Sequence, residues 1–224
     1  MTRLIGRFAL CCVVAAPLLG FTFGGWAVVT VDDVPTYLVS GKATVISFVV
    51  RQHGVTLLST VSPTIDIVSG STKATVAATS TGEAGRFSAT IVPPSAGMWT
   101  VTVNSGWGNS KTTLLPLRAI APNAPVPVAL ADADRGRLLF YGKGCTTCHV
   151  RGSDGDGRME VGPNLTGRRY QAEYVAKFLD DPETSPLSKA NANPNTKMPR
   201  LGLKAEELSA LVAFLNTTEV ANRE

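Results

Sequence analysis

Near residue 120 the sequence changes character, and that break restricts the chain to two unlike modules in tandem. From Val28 to Arg118 it is rich in Val, Thr and Ser and poor in charge. Apolar residues alternate in "ATVISFVV" (43–50), "RFSATI" (86–91), "MWTVTV" (98–103) and "KTTLLPLR" (111–118), the period of strands with one buried face. In "MWTVTV" the pattern turns Trp99, Val101 and Val103 inward and Thr100 and Thr102 outward. Met98 reads as core or edge packing. "SGK", "SGST", "TGEAG", "PPSAG" and "SGWGNS" supply turns between the runs, and "VVTVDDVP" reads as a first strand.

About seven short strands in some 90 residues predict a two-sheet sandwich of immunoglobulin-like topology over 28–118. The Pro/Ala-rich stretch 119–131, with "APNAPVPVALAD" at its centre, predicts an extended, semi-stiff spacer. Past it the period turns helical. "ADRGRLLFYGKG" begins with Asp132 or Asp134 as cap and stops at glycines, and "QAEYVAKFLDDP" (171–182) ends at Pro182. "KAEELSALVAFLN" (204–216) places Leu208, Leu211, Val212 and Leu215 at i, i+3, i+4 and i+7, with Glu206 and Glu207 in its first turn. The fold class is therefore β followed by all-α, the second module covering 132–218 before a tail at 219–224.

Residues 1–27 assign the compartment. Arg3 and Arg7 precede the apolar run "FALCCVVAAPLLGF", and Gly25 and Ala27 are the small residues a signal peptidase reads, so cleavage is expected after Ala27. An uncleaved anchor is the alternative, because Phe8 to Val31 carry no charge, and it would give membrane association. Pro17 and the glycines at 20, 24 and 25 disfavour a long helix there. Either way the body is exported, to a periplasmic or other extracytoplasmic space. Cys11 and Cys12 leave with a cleaved leader, so Cys145 and Cys148 are the only thiols of the body and no disulfide framework supports it. Net charge is +4, and from Asp132 onward thirteen basic side chains face thirteen acidic ones, so no one-sided basic surface points to nucleic acid.

"KGCTTCHV" (143–150) carries the chemistry. A C-x-x-C pair serves zinc, thiol redox or haem. Zinc needs two more ligands, and His53 is the only other histidine in the chain. A redox dithiol sits at a helix start in a βαβ setting, which the helical pattern here lacks. A histidine directly after the second cysteine is the pattern of c-type haem attachment: two thioethers to the porphyrin, with His149 as an iron ligand. Met198, in "NTKMPRLG", is the candidate for the opposite ligand, since thioether ligation raises the reduction potential and Pro199 stiffens its turn. Met159, in "RGSDGDGRME", and an open coordination site are the alternatives.

On "RGRLLFYGKGCTTCH", "VGPNLTGR", "AEYVAKFLDDP", "TKMP" and "LSALVAFL", in that order, residues 132–218 resemble a class I (mitochondrial-type) monohaem cytochrome c. The resemblance covers nearly all of the second module and none of the first. It implies one covalently bound haem c with its iron held by His149 and Met198, and Gly136 and Phe140 packed across the last helix near Phe214. It also implies a Pro163 carbonyl accepting from His149 Nδ1, haem-pocket roles for Leu165 and Tyr170, and Arg168 or Arg169 reaching a propionate. Lys204 stands where the family's last helix opens on Ser or Thr, which leaves that start less firmly fixed.

The first module weakly resembles periplasmic immunoglobulin-like sandwiches, some of which handle copper, through "VRQHGVTLL" and "PPSAGMWTVTV". With only His53 and Met98 as ligands, docking or spacing fits it better than copper binding. The expected function is electron transfer between redox partner proteins. The alternatives are a haem-bearing subunit of a larger oxidoreductase docked through the sandwich, or a sensor whose methionine leaves the iron. No Ser/His/Asp set, carboxylate pair or phosphate loop points to an enzyme with a small-molecule substrate.

Overall fold

A computed structural model describes residues 25–155, 161–183 and 197–218. Residues 1–24 (with Arg3, Arg7, Cys11 and Cys12), Met159, most of the loop after α2, and the tail 219–224 lie outside the described residues.

Eleven strands form the first module, several only two or three residues long, where the sequence spacing gives about seven. One sheet runs β1 (Ala27–Val31), β3 (Thr44–Gln52), β8 (Arg86–Ile91), β7 (Thr79–Ser80), with β4 (Thr56–Leu57) on β3. The other runs β2 (Leu38–Val39), β11 (Leu117–Ile120), β9 (Gly97–Asn104), β5 (Thr64–Ser69), β6 (Thr72–Ala77), with β10 (Lys111–Thr113) on β9. Pairing is antiparallel except β2 with β11. The alternation predicted from sequence sets the register: Trp99, Val101 and Val103 are wholly buried, and Ile65 and Ile67 on the neighbouring strand are inaccessible or nearly so. Phe48 lies opposite Phe87 in register, their rings 6.0 Å apart, and both belong to the same core. Trp99 keeps its indole N–H satisfied by donating to Ser95 O at 3.0 Å.

Two expectations need correction. "KTTLLPLR" is two strands, β10 and β11, both paired to β9. Three residues, Leu114 to Pro116, stand against two on β9, a bulge at a proline that has no N–H to give the ladder. Met98 is 55% exposed on the outer face of β9, so it packs in no core.

The helical module comprises, among the described residues, α1 (Asp132–Gly142), a 3-10 turn (Cys145–Thr147), α2 (Ala172–Asp180) and α3 (Ala205–Asn216). The cap of α1 is Ala131, with no side-chain bond; Asp132 and Asp134 lie inside its first turn, where their charge favours the positive helix end. α1 and α3 cross at Gly136, where a Cβ would run into the Ala210 carbonyl, and at Phe140, whose ring lies 5.4 Å from that of Phe214. The start of α3 is held without a Ser or Thr cap: the Lys204 N–H donates to the Glu207 carboxylate at 3.1 Å.

The two modules touch. All five residues of β1 are buried, the signature of a strand covered on both faces. Its inner face joins the sandwich core; on its outer face Val28 meets the helical module. Ala27, the first residue of β1, donates its N–H to Ser110 Oγ. The Lys143 ammonium, 2% exposed, pairs with Glu207 at 2.9 Å and donates to the Asp32 carbonyl of the sandwich at 2.6 Å. Arg135 donates to Val34 O, and Lys204 pairs with Asp33 at 2.6 Å. The stretch between the modules is irregular, with Val126 and Val128 exposed, but it does not hold them apart.

Candidate haem site

Gly144 ends α1 in a left-handed conformation, and the 3-10 turn that follows brings both cysteines and the histidine to one wall. His149 N–H donates to Cys145 O at 2.9 Å and Cys148 N–H to the same carbonyl at 3.1 Å. Behind them the chain loops back and is pinned. Gly162 N–H donates to Cys148 O, and Leu165 N–H donates to Val150 O. Further along, Tyr170 N–H donates to the Asn216 side chain. Asp154, nearly buried, accepts from the Arg137 guanidinium and from the Tyr141 hydroxyl, fixing the start of that loop to α1. Burial, ahead of the Asp154 carboxylate, pushes the Tyr141 phenol up to about 12.

A cavity of about 580 Å³ opens between these elements. Cys145, Cys148, His149, Pro163, Leu165, Tyr170 and Met198 all line it, so the seven residues singled out from sequence meet in one place. α2 adds Val175, Phe178 and Leu179; α3 adds Leu211 and Leu215. Of the two arginines, Arg168 lines the cavity, while Arg169 donates to Thr218 Oγ1 at 3.3 Å. Met98 does not line it. Gly162, Phe178 and Val28 are among the lining residues that the sequence did not assign to the site. Gly162 sits inside "VGPNL" and a Cβ there would lie 2.7 Å from His149 Nδ1, a close approach the motif itself signals. Phe178 belongs to the apolar pattern of α2. Val28 belongs to the other module, and no local pattern signals its role.

His149 Nδ1 is 2.9 Å from Pro163 O. A carbonyl only accepts, so Nδ1 carries the proton and Nε2 keeps its lone pair. Burial holds the imidazole below its ordinary value, favouring this neutral form. Burial, reinforced for Cys145 by the neighbouring thiol, pushes Cys145 up to about 12 and Cys148 up to about 11. A thioredoxin-like pair has the opposite shift, a thiol acidified for attack. The two sulfurs are not joined in a disulfide. The Tyr170 hydroxyl is buried without a well-formed hydrogen bond among the described residues.

The donor set fits one porphyrin. Two neutral thiols stand beside an imidazole with a free nitrogen, a thioether shares the cavity, and the rest of the lining is mostly apolar. Residues 133–219 match the family model of cytochrome c. The C-terminal module is a cytochrome c domain, a haem-binding electron-transfer unit, and carries covalently bound haem c with its iron. A search of curated proteins finds no match to the chain.

Proposed function

We propose that the protein is an exported monohaem c-type cytochrome of the class I type that shuttles single electrons between redox partner proteins. Cys145 and Cys148 would hold the group through thioethers, and His149 and Met198 would ligate its iron. The observation that carries this reading is the convergence of these four side chains on one cavity, with His149 Nδ1 committed to Pro163 O. The bound group supplies the Fe(III)/Fe(II) couple. Pro163 orients the imidazole and raises its basicity. Leu165 and the leucines of α3 exclude water, and the Tyr170 hydroxyl and Arg168 offer polar contacts for a propionate. Zinc finds less support, because among the described residues no group of three or more His, Cys, Asp or Glu side chains is arranged to hold a metal ion.

The sandwich reads as immunoglobulin-like: its N-terminal segment is shared between sheets, β1 pairing with β3 and β2 pairing in parallel with β11. Export follows from the basic start and apolar run of the leader. The pyridine haemochrome of protein made with a c-type maturation system tests the attachment. The expected result is a c-type band for the parent, lost in the Cys145→Ser/Cys148→Ser double variant. A b-type band in the parent contradicts it. The mass of the mature chain reports leader cleavage together with the addition of one haem.

A further inference from the structure

The geometry points to the sandwich as a working wall of the haem cleft: its β3–β4 turn clamps the Met198 loop and so positions the sixth ligand. This rests on Met198 being that ligand. Gln52 to Val55 form a β-turn within the three-residue loop that joins β3 to β4, closed by Val55 N–H to Gln52 O at 2.9 Å, with positive φ at His53 (52°) and Gly54 (76°). Both signs are those of a type I′ turn, which tolerates glycine at its second corner and only a few side chains at its first. The turn is anchored on the sandwich side by the antiparallel pairing of β3 with β4, Arg51 opposite Leu57 and Gln52 opposite Thr56.

Its other side faces the residues that flank Met198. Lys197 N–H donates to His53 O at 3.4 Å. A Cβ at Gly54 would run into the Lys197 carbonyl oxygen and come within 3.5 Å of Pro199 Cδ. Met198 is therefore held between two residues that both rest on the turn. At the opposite end of the cleft, Gly144, directly before Cys145, is packed so closely on β1 that a Cβ would strike the Val29 carbonyl and approach Val28 Cγ1 to 3.0 Å. Val28 itself lines the cavity. One rigid sheet thus backs both the attachment motif and the methionine loop. These contacts fix the separation between the two, which in turn decides whether the thioether reaches the metal.

The test uses full-length holoprotein and compares Gly54→Ala with Gly41→Ala. Gly41 has a similar positive φ, 71°, and nothing within 4 Å of an added Cβ, so it carries the same backbone strain without the contact. Gly54→Ala is expected to weaken the far-red sulfur-to-iron band of the ferric protein, lower the midpoint potential, and speed carbon monoxide binding to the ferrous form. Gly41→Ala is expected to match the parent in all three. His53→Gly keeps the left-handed turn and removes its one side chain at the first corner. It is the milder variant should Gly54→Ala not accumulate, and it shifts the same readouts in the same direction. Equal spectra, potentials and carbon monoxide rates for the turn variants and Gly41→Ala overturn the clamp. A parent that lacks the far-red band overturns instead the methionine ligation on which it rests.

Discussion

In the sandwich, Trp99, Val101, Val103 and Phe48 are fully buried in one packed core; in the helical module the comparable space is a cavity of about 580 Å³. The first module fills its interior with its own sequence. The second packs α1 on α3 through Gly136 and the Phe140–Phe214 pair, then leaves α2, the 161–170 loop and Met198 around a volume that a prosthetic group occupies. The difference teaches that the two halves depend on different things, core packing in one and a covalent cofactor in the other.

The largest expected effect follows from that dependence. Made without haem, as the Cys145→Ser/Cys148→Ser variant, the chain should lose fixed tertiary structure around α2 and the methionine loop while the sandwich keeps slow amide exchange at β3, β8 and β9. Uniform protection across both modules would break the comparison. Next, Trp99→Ala should cost about 3–5 kcal/mol in denaturant melts of the sandwich, a cavity effect, with the haem spectrum nearly unchanged at low denaturant. A loss below about 1 kcal/mol would mean the core is not packed as described.

Glu207→Ala tests the seam. It strands the Lys143 ammonium, which is enclosed between α1, α3 and the Asp32 carbonyl, and should cost about 3 kcal/mol. The Lys143→Met/Glu207→Leu double variant should recover much of that loss, because neither charge is then left without its partner. The smallest effect concerns Asp33. The Lys204 hydrogen bond holds its carboxyl below the ordinary 3.8. A depressed folded value means the contribution is present above the unfolded pKa and is lost as pH falls through the folded one. Asp33→Asn should therefore flatten the acid limb of stability slightly below pH 3.8 and leave neutral stability almost unchanged, since the pair is exposed. Equal acid limbs in parent and variant would remove the pair from the seam.

Much of this architecture was legible in the sequence for physical reasons. Period-two burial writes a strand such as "RFSATI" directly into the chain, and β8 spans those same residues. A thiol pair with an adjacent histidine encodes its chemistry within five residues, whereas Pro163, Leu165 and Tyr170 were reached only through the resemblance to a family. What was not legible is long-range or depends on a break in the ladder. The pause at Pro116 that divides β10 from β11 depends on pairing with β9. The contact of Gly54 with Lys197 joins residues far apart in sequence, and neither segment carries a local mark of the other.

Near-infrared magnetic circular dichroism of the ferric holoprotein at neutral pH tests the central claim most directly, because the charge-transfer energy of low-spin iron reports its axial pair. The parent is expected to show the histidine–methionine signature, abolished in Met198→Ala. A bis-nitrogen or high-spin signature in the parent would contradict it.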